Sequence, residues 1–204
     1  MPSRKVLLVG WDAADWKIIH PLMAAGKMPN VERLVNSGAT GQIATLHPPL
    51  SPMLWTSICT GKRPYQHGIH GFVEPAPDGS GVRPVTNLSR KSKALWNILT
   101  QNGLRSTVIG WWPSHPAEPI AGVMVSDRYH RAGAPLQDGW PLPLHAVHPP
   151  ELAERLAALR VHPDTLTPAM VEPFIPLAAE IDQDRDRRLG LFLRTLAECL
   201  TIQS

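Results

Sequence analysis

A serine in the stretch HPPLSPMLWTSICTG (residues 47–61) is of a type, and in a place, that suits phosphoryl chemistry. Ser51 precedes Pro52 and an apolar run, a pattern that predicts a helix opening here and ending before Gly61. Two interpretations of Ser51 are open. Its hydroxyl is an ordinary helix cap, or it is a nucleophile at a helix N-terminus, where free N–H groups and the positive end of the helix dipole attract an anion.

A carboxylate, Asp12, follows the first apolar run of the chain, KVLLVG at residues 5–10. A continuous apolar run that ends in glycine is typical of a strand buried on both faces of a parallel sheet. A second such strand is predicted at 39–46, just before Ser51. Because ligands bind beyond the carboxyl ends of parallel strands, we expect Asp12 and Ser51 to face each other at one edge of the sheet.

The elements that must position these two residues alternate along the chain. The predicted helices cover 14–25, 29–37, 51–60, 90–102 and the segment PPELAERLAALR, and two further strands cover 104–112 and 122–127. Alternation of strands and helices predicts an α/β fold with a mostly parallel sheet.

Glycine and proline interrupt the pattern twice. Residues 62–88 are predicted to be a loop, and residues 128–150 a proline-rich excursion on the surface. We therefore divide the chain into a core (1–127), the excursion (128–150) and a helical segment (151–204). The last helix carries an apolar stripe and runs to the end without a stop signal, so we expect the chain to be incomplete; the stripe consists of Leu189, Phe192, Leu193, Leu196 and Leu200.

Composition excludes several classes of protein. A chain of 204 residues that is 43% hydrophobic can bury one sizeable core. A net charge of +3 is too small to indicate a nucleic-acid partner. No segment approaches the length of a membrane span, and the first apolar run is too short for a signal peptide, so a cytoplasmic protein is expected. Cys59 and Cys199 are expected to be buried free thiols.

Four pieces occur in a fixed order: GWDAAD, then MPNVERLVNSG, then PPLSPMLWTSICTGKRP, then HGIHGF. Together they resemble the N-terminal half of the type I phosphodiesterase/nucleotide pyrophosphatase family of the alkaline phosphatase superfamily. In that family's pattern, the position of the nucleophile falls on Ser51.

The resemblance implies a fold and a chemistry. The fold is a central sheet sandwiched by helices. The chemistry is hydrolysis of a small phosphate ester with two divalent metal ions, usually zinc, through a phosphoseryl intermediate. Asp12 and the Ser51 oxygen would bind one ion, and the N–H groups of Met53 and Leu54 would hold a phosphoryl oxygen.

The sequence also departs from the family's pattern. The family takes its remaining Asp and His ligands from its C-terminal half, and the late acidic residues here are expected to be solvated partners of arginines; these are Asp164, Asp182, Asp184 and Asp186. Phe72 stands where nucleotide pyrophosphatases have a phosphate-binding Asn. We therefore expect a fragment that lacks most metal ligands and is inactive alone, with the missing C-terminal half as its partner. The alternative is a non-catalytic half-domain that binds anions or depends on a partner.

The other polar and aromatic candidates have simpler explanations. Asp15 is expected to favour the start of the first helix, and His67 and His70 to be structural. The pair Trp111–Trp112 near the end of the third predicted strand either lines the substrate cleft or, as we expect, contributes one tryptophan to ordinary core packing. The remaining histidines share no ligand spacing and are expected to be solvated; they are His20, His47, His115, His130, His145, His148 and His162.

Overall fold

The computed structural model describes residues 5–181 and 187–203. The chain divides into two compact units, Met1–Pro48 and Pro49–Ser204. The division into 1–127, 128–150 and 151–204 stays a prediction. The acidic residues Asp182, Asp184 and Asp186 lie outside the described residues.

The first unit contains two helices that contact each other, α1 (Trp16–Ala24) and α2 (Pro29–Ser37). Both were predicted, and α2 has the predicted bounds. The carboxylate of Asp15 accepts the N–H of Lys17 at 2.9 Å, so Asp15 is the N-cap of α1.

The strands predicted at 5–10 and 39–46 are wrong. Neither segment pairs with a strand within the described part of the chain. Val6 is 91% exposed and Ile43 97% exposed. An apolar run becomes a strand only where a neighbouring strand bonds its N–H and C=O groups, so the strand argument for placing Asp12 at a sheet edge does not hold.

The second unit is a mixture of helices and short strands. Its elements are α3 (Ser51–Thr60), α4 (Pro64–His67), β1 (Val73–Pro75), β2 (Val82–Pro84), α5 (Leu95–Gln101), β3 (Ser106–Ile109), β4 (Gly122–Val125), β5 (Val147–His148), α6 (Ala153–Ala157), α7 (Pro168–Val171) and α8 (Arg188–Gln203). The predicted loop 62–88 thus contains α4 and an antiparallel hairpin, β1–β2. The helix predicted at 90–102 is shorter, and Ser89 belongs to a separate 3-10 turn before it.

Three strands form the larger sheet of this unit, in the order β3–β4–β5. β3 and β4 are parallel, with Ser106 opposite Gly122 and Ile109 opposite Val125. β5 is antiparallel to β4 and comes from the proline-rich excursion. The α/β class is therefore observed, but the sheet is short and mixed, and the expected parallel sandwich is not seen in the described residues.

Apolar residues pack on both faces of β4. Met124 belongs to a cluster with Cys59, Ala94 and Trp96. Cys59 lies on α3, Trp96 lies on α5, and Ala94 is the N-cap residue of α5. The next residue, Val125, belongs to a second cluster with Tyr129, Ala146 and Val147. Successive side chains of a strand point to opposite faces, so β4 separates the two clusters.

The apolar stripe of the C-terminal helix α8 is partly covered by the rest of the protein. Leu189 is buried, and Phe192, Leu193, Leu196 and Leu200 are half-buried. The hydroxyl of Thr201 accepts the N–H of Val161 at 2.8 Å, which ties α8 to the segment after α6. Cys59 is a buried free thiol as predicted, whereas Cys199 is exposed, because it lies off the stripe.

None of the helices in residues 5–181 and 187–203 combines the length and hydropathy that a bilayer crossing requires.

Candidate active site

Ser51 is the first residue of α3, and its side chain is half-buried. The N-cap position belongs to Leu50, whose side chain makes no capping hydrogen bond. Pro52 is the second helical residue, where its missing N–H costs nothing. The serine therefore begins the helix, and the N-cap position lies one residue earlier than the sequence pattern predicted.

The N–H groups of the first turn differ in what they can bind. The Leu54 N–H donates to the Leu50 carbonyl oxygen at 3.0 Å, so the expectation that it is free is wrong. The helix begins one residue earlier than a cap at Ser51 would give, and Leu54 is therefore the first residue with an intrahelical acceptor. Met53 lies at the third helical position, whose N–H has no intrahelical acceptor, although the residue as a whole is only 4% exposed.

Threonine hydroxyls of α3 donate to carbonyl oxygens one turn earlier in the same helix. The hydroxyl of Thr56 donates to the Pro52 carbonyl oxygen at 2.6 Å, and the hydroxyl of Thr60 donates to the Thr56 carbonyl oxygen at 2.6 Å. The helix ends at Gly61, which adopts the left-handed conformation (φ 63°) that glycine accommodates without strain. Two threonine side chains of the helix that carries Ser51 are thus held against the backbone of that helix.

The histidine of the QHGI segment anchors the same helix. His67 is fully buried, and its Nδ1 accepts the N–H of Ile69 at 3.2 Å. Its Nε2 lies 2.9 Å from the hydroxyl oxygen of Ser57, in the middle of α3. The expectation that His67 is structural is confirmed, since both ring nitrogens have protein partners.

The two tryptophans after β3 have different surroundings. Trp111 packs against the cluster around Met124 and donates its Nε1–H to the Trp55 carbonyl oxygen of α3 at 3.1 Å. Trp112 contacts Phe72, with ring centroids 5.3 Å apart. The core role expected for one of the pair is therefore confirmed for Trp111.

Four of the histidines expected in solvent are buried or half-buried; they are His115, His130, His148 and His162. His162 is 3% exposed, and its Nδ1 accepts the N–H of Asp164 at 3.1 Å. His115 is half-buried, and its Nδ1 lies 3.1 Å from the Ser126 hydroxyl oxygen. Loop histidines carry no spacing pattern, so nothing in the sequence indicated these partners.

Asp12 is exposed and lies in a turn just before α1. It belongs to the first unit and Ser51 to the second. The expectation that both bind one metal ion stays a prediction.

The residues present do not make a metal centre. Among residues 5–181 and 187–203, no three His, Cys, Asp or Glu side chains gather closely enough to hold an ion. A zinc site needs three or four protein ligands. The two-metal site implied by the resemblance therefore does not fit the described residues.

Comparison with known families decides the relationship. The family model of type I phosphodiesterase / nucleotide pyrophosphatase matches residues 6–193. The chain belongs to this family. No curated protein and no solved structure gives a significant match.

Relatives in the type I phosphodiesterase/nucleotide pyrophosphatase family hydrolyse phosphoric esters and typically use metal ions. The match includes Asp12, the whole of α3 with Ser51, and the His67 anchor. It also includes the region after β4, which the motifs of this phosphodiesterase family did not single out in the sequence.

Proposed function

We propose that this chain acts on phosphate esters, either as a phosphodiesterase/pyrophosphatase or as a phosphatase, through Ser51 as the nucleophile. The observation that carries the proposal is the position of Ser51 as the first residue of α3, inside the family match. The substrate is a small phosphate ester.

In the proposed reaction the Ser51 oxygen attacks phosphorus, the bond from phosphorus to the ester oxygen breaks, and the serine proton ends on the alcohol that leaves. Water then hydrolyses the phosphoseryl bond and regenerates the serine. The positive end of the α3 dipole and the N–H of Met53 stabilise negative charge on a phosphoryl oxygen. Pro52 has no N–H and contributes only shape.

The family's use of metal suggests that two divalent ions, zinc above all, assist this reaction, with Asp12 and Ser51 as ligands. Among residues 5–181 and 187–203 no three His, Cys, Asp or Glu side chains come together, so we assign no step to the metal. In this proposal the expected C-terminal partner supplies the other metal ligands. A cytoplasmic location stays a prediction.

The proposal is tested by incubating the purified chain with zinc ions and bis(p-nitrophenyl) phosphate. We expect a p-nitrophenyl phosphoryl group on Ser51 in a peptide mass spectrum and slow release of p-nitrophenolate at most. The Ser51→Ala variant should show neither. Ser80→Ala is the matched control, because Ser80 lies in the turn of the β1–β2 hairpin and bonds only locally to Asp78.

Two other outcomes carry different conclusions. If the native chain and the Ser51→Ala variant turn over the substrate at the same rate and Ser51 carries no label, the assignment of Ser51 as the nucleophile is overturned. That result would favour the alternative of an anion-binding half-domain. That alternative rests on the missing metal ligands among the described residues. Fast turnover that depends on Ser51 would show that this chain carries a full set of catalytic groups.

A further inference from the structure

A cavity of about 250 Å³ lies between the β1–β2 hairpin, the segment after β3 and the turn after β4. Its apolar walls include the rings of Phe72 and Trp112. Its polar side is formed by His115, Asp127 and two arginines. Small-molecule sites commonly combine apolar walls with a few converging polar groups in this way.

The polar side of the cavity is held rigidly. The carboxylate of Asp127, which is only 9% exposed, accepts the N–H groups of Ser114 and His115 through one oxygen, at 2.8 and 2.9 Å. The Ser114 hydroxyl in turn accepts the N–H of Asp127 at 2.9 Å. The other carboxylate oxygen of Asp127 lies 3.4 Å from a guanidinium nitrogen of Arg131. The negative charge of Asp127 is thus balanced inside the cavity.

A second arginine, Arg128, supplies a positive charge that is not balanced. It lines the cavity and is half-buried, and within the described ranges it has no carboxylate partner at ion-pair distance. The neighbouring His115 does not add charge near neutral pH, because burial and then the charge of Arg128 lower its pKa. The cavity therefore carries one net positive charge and favours an anion.

The aromatic walls are continuous with segments that touch α3. Gly71, next to Phe72, comes close to Leu50: a Cβ on Gly71 would lie 3.4 Å from the Leu50 Cδ1. Trp111, next to Trp112, donates to the Trp55 carbonyl oxygen. Two residues of the aromatic wall are thus next in sequence to residues that approach α3 or its N-cap residue, Leu50.

We propose that this cavity binds an aromatic carboxylate, with the ring packed against the wall that Phe72 and Trp112 form together and the carboxylate on Arg128. A guanidinium pairs with a planar carboxylate through two parallel hydrogen bonds. A singly charged carboxylate neutralises the one net positive charge of the cavity, whereas a doubly charged phosphate would leave one negative charge unbalanced there. Resting on the proposed function, the inference names the substrate class: aryl phosphates that carry a carboxylate on the ring.

Binding of benzoate to the full chain, followed by calorimetry, tests the cavity without any reaction. We expect Arg128→Gln to weaken binding at least about tenfold, since a charged hydrogen bond is lost. Arg105→Gln is the matched control, because Arg105 is exposed and lies outside the cavity. Equal binding to all three proteins, or tighter binding of phenylphosphonate than of benzoate through Arg128, would overturn the proposal.

A second measurement separates the cavity from the reaction. The label on Ser51 is compared between 4-carboxyphenyl phosphate and phenyl phosphate, with zinc present. Faster labelling by the carboxylated ester, lost in Arg128→Gln, supports the substrate class. Equal labelling by the two esters overturns it. Arg128-dependent benzoate binding with no label on Ser51 supports the cavity and counts against the proposed function alone.

Discussion

The imidazole Nε2 of His67 lies 2.9 Å from the hydroxyl oxygen of Ser57, and this pair joins the end of α4 to the middle of α3. Because the Nδ1 of His67 accepts the Ile69 N–H, the proton of the neutral ring is on Nε2, which donates to Ser57. The Ser57 hydroxyl then donates to the Met53 carbonyl oxygen at 2.9 Å. The chain of bonds works only with a neutral histidine.

Stability should therefore fall in acid through His67. Burial, followed by the charge of His70, lowers the pKa of His67 in the folded state. The unfolded chain, with a histidine pKa of about 6.5, then binds the extra proton first, so the free energy of unfolding is highest above that pH and decreases as the pH falls through it. Urea unfolding at a series of pH values should show a smaller slope for His67→Gln than for the native chain.

His20→Gln is the control for this measurement, because His20 is exposed on α1. If the unfolding free energy depends on pH equally in His67→Gln and in the native chain, the assignment of a neutral His67 is contradicted. His115, whose pKa burial also lowers, contributes to the slope that remains.

Removing the negative charge of Glu118 should be strongly destabilising. Glu118 pairs with Arg90, whose side chain is 6% exposed, and also accepts from Asn97 Nδ2 at 2.6 Å and from Trp96 Nε1 at 3.2 Å. Glu118→Gln leaves a buried arginine without its counter-charge, which costs about 3–5 kcal/mol of unfolding free energy.

The matched control is the pair Arg83–Glu74 in the hairpin, in which the arginine side chain is exposed and the nitrogen–oxygen distance is 2.8 Å. Arg83→Gln should change the free energy of unfolding by no more than about 1 kcal/mol. Similar losses for Glu118→Gln and Arg83→Gln in chemical denaturation would show that burial does not determine the effect.

A side chain at position 122 should break the parallel pairing of β3 and β4. Gly122 has φ 152°, and a Cβ there would lie 1.9 Å from the Ser106 carbonyl oxygen. Because that contact is with backbone, no side-chain rotation relieves it. We expect Gly122→Ala to lower the free energy of unfolding by more than about 4 kcal/mol.

Gly133→Ala serves as the control for Gly122→Ala, since a Cβ on Gly133 meets nothing within 4 Å. Thermal unfolding of the two variants gives the comparison. Equal melting temperatures for them would mean that the β3–β4 register is different from the one described.

The Cys59 thiol should react slowly until the protein unfolds. Burial raises its pKa from 9.0 to about 11, and two pH units correspond to roughly a hundredfold less thiolate, which is the reacting form. In the Cys199→Ser variant, labelling with a chromogenic disulfide should be at least about a hundredfold slower in the native state than in urea. Cys59→Ser, which keeps the exposed Cys199, is the control, and fast native labelling of Cys59 would contradict its burial.

Local signals explain what could be predicted from the sequence. Proline near a helix start and glycine after its end located α2 and α3, because these residues act through their own backbone geometry. The parallel pair β3–β4 was also predicted as two strands. The segments 5–10 and 39–46 show the limit: their apolar composition does not decide whether another strand pairs with them.

The candidate site shows the same limit. Ser51 and His67 belong to contiguous motifs and could be recognised. Phe72, Trp112 and Arg128 are far apart in the sequence, and only the folded chain brings them to one cavity. Leu54 was misassigned because one residue of difference in the helix start decides which N–H groups have an acceptor.

The reciprocal bonds between Ser114 and Asp127 have a consequence for amide exchange with solvent. Ser114, His115 and Asp127 lie outside every helix and strand, yet each of their N–H groups donates to a buried side-chain oxygen. The Ser114 and His115 amides of the crossover between β3 and β4 can exchange only when the crossover separates from Asp127 in the turn after β4. These two amides should therefore exchange as slowly as those of the strands on either side, although they lie in a loop.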